Sequence, residues 1–301
     1  MNCGSQTEKY ENNLPLDIVG KIRRHPCCSF EAHHTHARMH LPVAPKCNIS
    51  CNYCNRKFDC VNESRPGVTS KVLNPNAALE KFILVREKIE QLSVVGIAGP
   101  GDALANWDNT RRTIELIKEA DPNIIICLST NGLMLPKYAG EIIGIGIDRV
   151  VTVTINCLDP AIGAHIYRAV NYKGKRYTGA EGAALLIRNQ LAGIKFLTEQ
   201  GVLVKVNIVM IKSINQYHIP EIVQKVKKLG VFITNIMPLI PAPGSVFEAY
   251  PQTSMKDLMK MRNLCQGYLP QMFHCKQCRA DAIGLLGEDR SLEFSSAAAG
   301  S

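Results

Sequence analysis

The sequence predicts an α/β fold in which about six β/α units form a parallel sheet curved into an incomplete (βα)6 barrel. Short, β-branched, apolar runs of the kind that parallel strands bury recur along the chain, and segments of helical period separate them. With 301 residues and 46% hydrophobic content, the chain can bury a core of that size.

The elements follow in order. Residues 41–46, short and apolar, read as the first strand, and 76–91 as an amphipathic helix. Residues 94–98 form the second strand and 107–120 the next helix. The third and fourth strands are 124–129 and 149–155, rich in Ile and Val. Helix 181–200, strand 203–211, helix 216–229 and strand 232–239 complete the series. Residues 1–40 stand outside the barrel (41–240) as an N-terminal extension, and 241–290 as a C-terminal one. The small, bland run 291–301 reads as a linker or scar.

Composition narrows the function classes. No apolar stretch is long enough to span a bilayer, so no membrane association is expected. Residues 1–13 are polar and lack the apolar core of a signal peptide, which predicts a cytoplasmic setting. Twelve cysteines in a reducing compartment argue for metal centres rather than disulfides. The net charge of +9 attracts anions. Its lysines and arginines are spread out and aromatics are only 6%, so no nucleic-acid partner is expected and the charge reads as a solvated surface.

Cys47, Cys51 and Cys54 form a CxxxCxxC triplet just after the first strand, on the face where active sites of such sheets lie. Three thiolates on one tight loop can hold three irons of a 4Fe-4S cluster. A structural zinc site is the other use of such thiols; it asks for a fourth Cys or His and favours paired CxxC spacing. The triplet resembles that of the radical S-adenosylmethionine (SAM) enzymes. The resemblance implies a fourth iron that chelates the amino and carboxylate groups of SAM, and an electron that cleaves the sulfonium to a 5′-deoxyadenosyl radical. It places Tyr53 near the adenine, and Gly99 and Asp102 of the turn 96–102 at the methionyl amine, with Asp102 standing where many members carry Glu. The alternative for Asp102 is a helix cap. Ser129 and Asn131 end the third strand, and Thr154 and Asn156 the fourth; all four are expected to reach the SAM ribose or carboxylate, with ordinary turn chemistry as the alternative.

Nine further cysteines remain, among them the CxxC of Cys275 and Cys278, Cys127 on the third strand, and Cys27 and Cys60 flanking the triplet. Five of the eight histidines, His25, His33, His34, His36 and His40, crowd into sixteen positions. The strings His25-Pro26-Cys27, Ala37-Arg38-Met39-His40-Leu41-Pro42-Val43-Ala44-Pro45, Cys60-Val61-Asn62-Glu63-Ser64-Arg65-Pro66-Gly67 and Cys275 to Cys278 followed by Arg279-Ala280-Asp281-Ala282 are similar to those of the NifB proteins. That family matures the iron-molybdenum cofactor of nitrogenase. The resemblance, over most of 25–285, implies a partial (βα)6 radical SAM barrel whose N- and C-terminal extensions carry auxiliary cluster ligands. It implies three 4Fe-4S clusters, one binding SAM and two serving as substrates. These are fused, with a SAM-derived carbide and an added sulfide, into an eight-iron precursor by SAM-dependent methyl transfer and hydrogen abstraction. Cys27, Cys60 and His40 are expected on one auxiliary cluster, and Cys127, Cys275 and Cys278 on the other, folded over the barrel mouth. Cys3, Cys28 and His25 are substitutes. Cys157 and Cys265 read as buried thiols. Glu63 and Arg65 are expected to handle protons or fix the anionic cluster near SAM, an ordinary ion pair being the alternative. Longer members carry a NifX-like C-terminal domain; a stand-alone form without it is expected here. The implied partners are iron-sulfur cluster suppliers, a carrier or scaffold that receives the product, and a low-potential electron donor.

Two other readings share parts of this pattern. A radical SAM maturase of a peptide or small molecule, with electron-relay clusters, shares the triplet and the CxxC but leaves the His-rich lead unexplained. A non-catalytic iron-sulfur carrier has no need of a SAM site.

Overall fold

A computed structural model describes residues 16–67, 71–146 and 150–295. Cys3 and residues 296–301 of the expected tail lie outside them. Six parallel strands form the main sheet in the order β1 (Ala37–Pro42), β3 (Leu92–Ala98), β4 (Ile125–Thr130), β5 (Val150–Thr154), β8 (Leu203–Met210), β9 (Ile233–Pro238), with β10 (Ile283–Gly284) antiparallel on the β1 edge. The sheet curls into a half-barrel. Its β-branched strands are buried on both faces, β5 and β8 along their whole lengths, as parallel strands packed between a helical layer and a barrel interior must be.

Helices α3 (Pro75–Lys88), α4 (Trp107–Ala120), α5 (Leu135–Gly144), α7 (Gly179–Glu199) and α8 (Ile219–Lys228) contribute the outer side of the principal apolar core. Local chemistry starts them: Asn74 caps α3 by accepting from the Ala77 N–H, with Pro75 in the first turn where its missing donor costs nothing. Trp107 at the head of α4 stacks on Tyr138 of α5 at 5.0 Å and donates to Glu141 at 2.8 Å.

Several expectations change. The first strand runs over Ala37–Pro42 rather than 41–46, so Arg38 and His40 belong to the sheet and not to the extension. The polar run carries no sustained strand period of its own, and its strand partners, Val94 to Ala98 on one side and Ile283 and Gly284 on the other, are remote in sequence. Helices α5, α6 (Pro160–Ile166) and α9 (Met255–Gln266) had not been anticipated, nor had a small antiparallel sheet β2 (Ile49–Cys51), β6 (Tyr167–Tyr172), β7 (Lys175–Tyr177). That sheet carries part of the cysteine loop itself. Residues 291–294 form a 3-10 turn that buries Phe294 in the core, so this part of the expected tail belongs to the fold.

The N-terminal extension enters through α1 (Leu16–Ile22) and α2 (Ala32–Thr35). Ile18, Ile22 and Cys28 pack on Val94, Ile125, Val150, Leu203 and Ile233, residues at the starts of the strands. The extension therefore closes the bottom of the half-barrel. The C-terminal segment returns alongside β9 through a bridge between Thr234 and Gln271 and reaches β1 through β10. Among the described residues no helix is long and apolar enough to cross a membrane.

Candidate active site

Two cavities adjoin inside the half-barrel, and Glu63 lines both. The smaller lies beyond the C-terminal end of β1 and holds the triplet Cys47, Cys51 and Cys54 with Tyr53, Cys60, Asn62, Asp102 and Asn131. The larger runs down the barrel interior and gathers Cys27, Cys127, Cys275 and Cys278 with His25, His40, Arg38 and Lys205.

Backbone approach builds the smaller cavity. A Cβ on Gly99 or Gly101 would collide with the Ala44 and Lys46 carbonyl oxygens. Only glycine lets the turn after β3 lie against the strand that leads into the cysteine loop. Asp102 is buried, and its carboxylate accepts from the Leu104, Ala105 and Asn131 N–H groups and the Thr130 hydroxyl. It thus caps the 3-10 turn Ala103–Asn106 and ties it to the end of β4, the capping role set beside SAM binding above. Tyr53 is fully buried and knots the loop to β5: its hydroxyl donates to Asn62 at 2.6 Å and accepts from Asn156 at 2.7 Å. Thr154 and Asn207 both donate to the Asn62 carbonyl. Asn62 is thus a hub that residue-type reasoning missed, being visible only as part of a longer string.

Amide donors face the triplet sulfurs. Asn131 Nδ2 stands 3.8 Å from Cys47 Sγ and Asn62 Nδ2 4.0 Å from Cys51 Sγ, while Asn48 Nδ2 is buried without a partner. Such donors suit sulfurs that carry charge, so the loop fits a bound 4Fe-4S cluster better than inert thiols. Burial pushes the Cys47 thiol up to about 12 and Cys51 well above its ordinary range, so loading iron must displace protons. Among the described residues no three His, Cys, Asp or Glu side chains converge on a point that would hold a single ion. A cubane takes one thiolate at each corner and needs no such convergence.

The larger cavity brings together four of the cysteines expected on the auxiliary clusters. Cys60 lines the triplet's cavity beside Glu63 and the three triplet sulfurs, not the larger cavity that Cys27 and His40 line. Cys27 instead shares its surroundings with Cys278, Cys127 and Cys275. Ser129, two residues on from Cys127 along β4, also lines the larger cavity and not the triplet's. The CxxC turn reaches the C-terminal end of β9, where the Gln277 side chain donates to the Pro238 carbonyl at 3.2 Å. It fills the interior from the edge, held by Arg65, which donates to the Gln277 carbonyl at 2.9 Å and to the Lys276 carbonyl at 3.1 Å. Gln277 has φ of 47°, a left-handed turn that brings two thiols to one side. Arg65 is therefore a clamp on the CxxC, and no ion pair joins it to Glu63 among the described residues.

Buried His25 and half-buried His40 differ in tautomer. His40 Nδ1 donates to the Arg279 carbonyl at 3.0 Å, leaving Nε2 with a lone pair, the state of a metal-ligating imidazole. Gly96 makes room for it, since a Cβ there would stand 2.6 Å from the His40 ring. His25 Nδ1 accepts from the Cys27 N–H, so its proton sits on Nε2, a buried donor with no partner. Burial and nearby cations depress both rings, His25 to about 3 and His40 to about 4, and both are neutral at pH 7. Arg38, also missed from sequence, is buried with its guanidinium 3.3 Å from Cys278 Sγ. Asn235 donates to Cys275 Sγ at 3.3 Å. Glu63 accepts from the Gly99 backbone, has one oxygen buried without a partner, and is pushed well up by burial and Asp102. Cys157 and Cys265 are buried away from both cavities.

Comparison with known proteins matches residues 41–226 to the radical SAM superfamily. The chain belongs to the radical SAM superfamily. It is 51% identical to the FeMo cofactor biosynthesis protein NifB of Bradyrhizobium diazoefficiens over 97% of this chain and 59% of that protein. Against NifB of Klebsiella pneumoniae the identity is 52%, over 92% of this chain and 60% of the relative. The chain thus spans about three fifths of the length of these relatives. Among solved structures, SuiB of Streptococcus suis bound to S-adenosylmethionine aligns with a TM-score of 0.55 at 14% identity, over 77% of this chain and 50% of that one. Methylornithine synthase (PylB) aligns at 0.52 and 12% identity, over 86% of this chain and 68% of that one. These two show the radical SAM fold alone. For the superfamily, the triplet's resident group is a 4Fe-4S cluster with SAM as its ligand.

Proposed function

We propose that this chain is a cofactor maturase of nitrogenase that fuses two 4Fe-4S clusters, with a SAM-derived carbide and a sulfide, into an eight-iron precursor. The observation that carries the reading is the pair of adjoining cavities with Glu63 as their common wall. The NifB names of the relatives point the same way. When bound at Cys47, Cys51 and Cys54, the resident cluster supplies the electron that cleaves SAM.

The chain's own residues do the rest. Cys27, Cys127, Cys275 and Cys278, with His40, hold the two substrate clusters side by side. Few, mixed ligands let clusters move and merge, and His40 is the exchangeable neutral donor among thiolates. Glu63 is placed between the SAM side and the substrate clusters. Burial, with Asp102 nearby, holds its carboxyl well above the usual carboxylate range, which suits it to carry a proton across that wall. Arg65 fixes the CxxC and so positions its thiolates. Cluster suppliers, a carrier for the product and a low-potential electron donor are the partners this chemistry requires.

Anaerobic reconstitution with SAM labelled in its methyl group tests the proposal. The expected result is 5′-deoxyadenosine and S-adenosylhomocysteine together, with label retained in the acid-extracted cluster. Deoxyadenosine without S-adenosylhomocysteine or cluster label would point to a conventional radical SAM maturase and overturn it.

A further inference from the structure

Lys205 is the one lysine of the larger cavity that reaches it from within the sheet. It lies on β8, paired in register with Thr152 of β5 and Ile233 of β9, and only 8% of it is exposed. Thr152 in turn lies 3.8 Å from Cys127 Sγ. Lys276, the other lysine at this cavity, is on the CxxC turn near the surface. Burying an ammonium is costly unless a partner repays it. No carboxylate forms an ion pair with Lys205 among the described residues. The groups that share the cavity with it include the thiols of Cys27, Cys127, Cys275 and Cys278, and a neutral thiol does not repay a buried ammonium. The same charge is felt by His25, His40 and Glu63, so it sits near the middle of the cavity's titratable groups. Nothing in the fold needs it: neighbouring inward positions of β8 carry Asn207, Val209 or apolar residues. A Met or Leu would fill the same volume at lower cost.

We infer that Lys205 is an anion-binding residue of the larger cavity: its ammonium holds the sulfide-rich iron-sulfur substrate in place while thiolate ligands exchange. This rests on the reading of that cavity as the seat of the substrate clusters. Thiolate-ligated clusters are anions, the more so when reduced, and a compact three-donor cation on a flexible stem can follow a cluster that shifts. Arg38 cannot, because its guanidinium is spent on the Gly284 and Leu285 carbonyls and on Cys278.

The test compares wild type, Lys205→Met and Lys205→Arg, each anaerobically reconstituted, by iron content and by redox titration of the cluster signals. Removing a buried positive charge disfavours the reduced, more negative cluster. In Lys205→Met the reduced fraction of the auxiliary clusters should fall at least tenfold at a given potential, a shift of about 59 mV for one electron. The triplet cluster, in the other cavity, should keep its potential, and Lys205→Arg should recover most of the change. The metal-free Lys205→Met protein should melt higher than metal-free wild type, because an unpaired buried charge is gone. A merely structural lysine would give the opposite sign. Wild type with no iron beyond the triplet's cluster would overturn the cavity reading and this inference together. Wild type with auxiliary iron, beside Lys205→Met with unchanged potentials and unchanged iron, would overturn this inference alone.

Discussion

The two cavities are built in opposite ways. The smaller takes the triplet's sulfurs from eight consecutive residues, 47 to 54, with Cys60 six residues further on, on a loop held by backbone contacts and amides. The larger draws four sulfurs from positions between 27 and 278 and depends on the whole chain closing around the sheet: α1 from below, the CxxC from the edge, β4 and β8 from within. A local loop can hold a resident cluster permanently. An assembly of distant parts, each with one or two ligands, suits a cargo that must arrive, rearrange and leave.

The sharpest break of this comparison is Cys51→Ala. It removes the central ligand of the triplet, and SAM cleavage should fall by several orders of magnitude while iron in the larger cavity stays. Continued formation of 5′-deoxyadenosine would show that the resident cluster lies elsewhere. Cys278→Ala should do the reverse. It removes one sulfur of the CxxC and leaves Arg38 facing an empty position, so auxiliary iron should drop while uncoupled SAM cleavage persists. Iron analysis beside nucleoside quantitation reads both variants, and equal loss of both clusters in either one would dissolve the division into two sites.

A third test uses protons. His25 and His40 are held neutral in the folded chain, at about 3 and about 4, against an unfolded value near 6.5. Between those values the unfolded chain binds more protons, so metal-free protein should lose stability as pH falls from 6.5 toward 4. At about 1.4 kcal/mol per unit, each ring contributes on the order of 3 kcal/mol by pH 4. Denaturant melts across that range check it, and His25→Gln should flatten the slope by about half. Gly96→Ala is gentler. Its Cβ meets the His40 ring in the larger cavity, and the overpacking should cost about 1–3 kcal/mol, with weaker auxiliary cluster binding and an intact triplet cluster.

What the sequence revealed follows the same division. The triplet, the Gly99–Gly101 turn and the βα alternation are local patterns, and they were legible because strand period and ligand spacing are written in neighbouring residues. The membership of the larger cavity was legible only through resemblance to a family, because the side chains that share it are remote in sequence. Cys60 is near Cys27 in sequence, yet it turns into the triplet's cavity. Arg38 and Lys205 looked like surface charge in a basic chain, because burial of a cation is a tertiary fact with no local signature. The first strand was misplaced for a related reason. Arg38 and His40 are polar residues facing the barrel's interior, where the usual apolar pattern of a strand gives way to ligands.

The smallest expected effect is also the finest test of the boundary between the two regions. Ser129 and Asn131 are two residues apart on one strand end, and both looked equally suited to SAM. The structure separates them, with Asn131 against Cys47 and Ser129 in the cavity with Cys127. Ser129→Ala should therefore leave SAM affinity and stability unchanged within about 0.5 kcal/mol. Asn131→Ala should weaken SAM binding measurably, since it removes an amide donor from the triplet and frees Asn48. Equilibrium binding of SAM to the two variants decides the matter. A loss at Ser129 equal to that at Asn131 would mean that SAM reaches past Glu63 into the larger cavity, and that the wall between the sites is crossed by the cosubstrate itself.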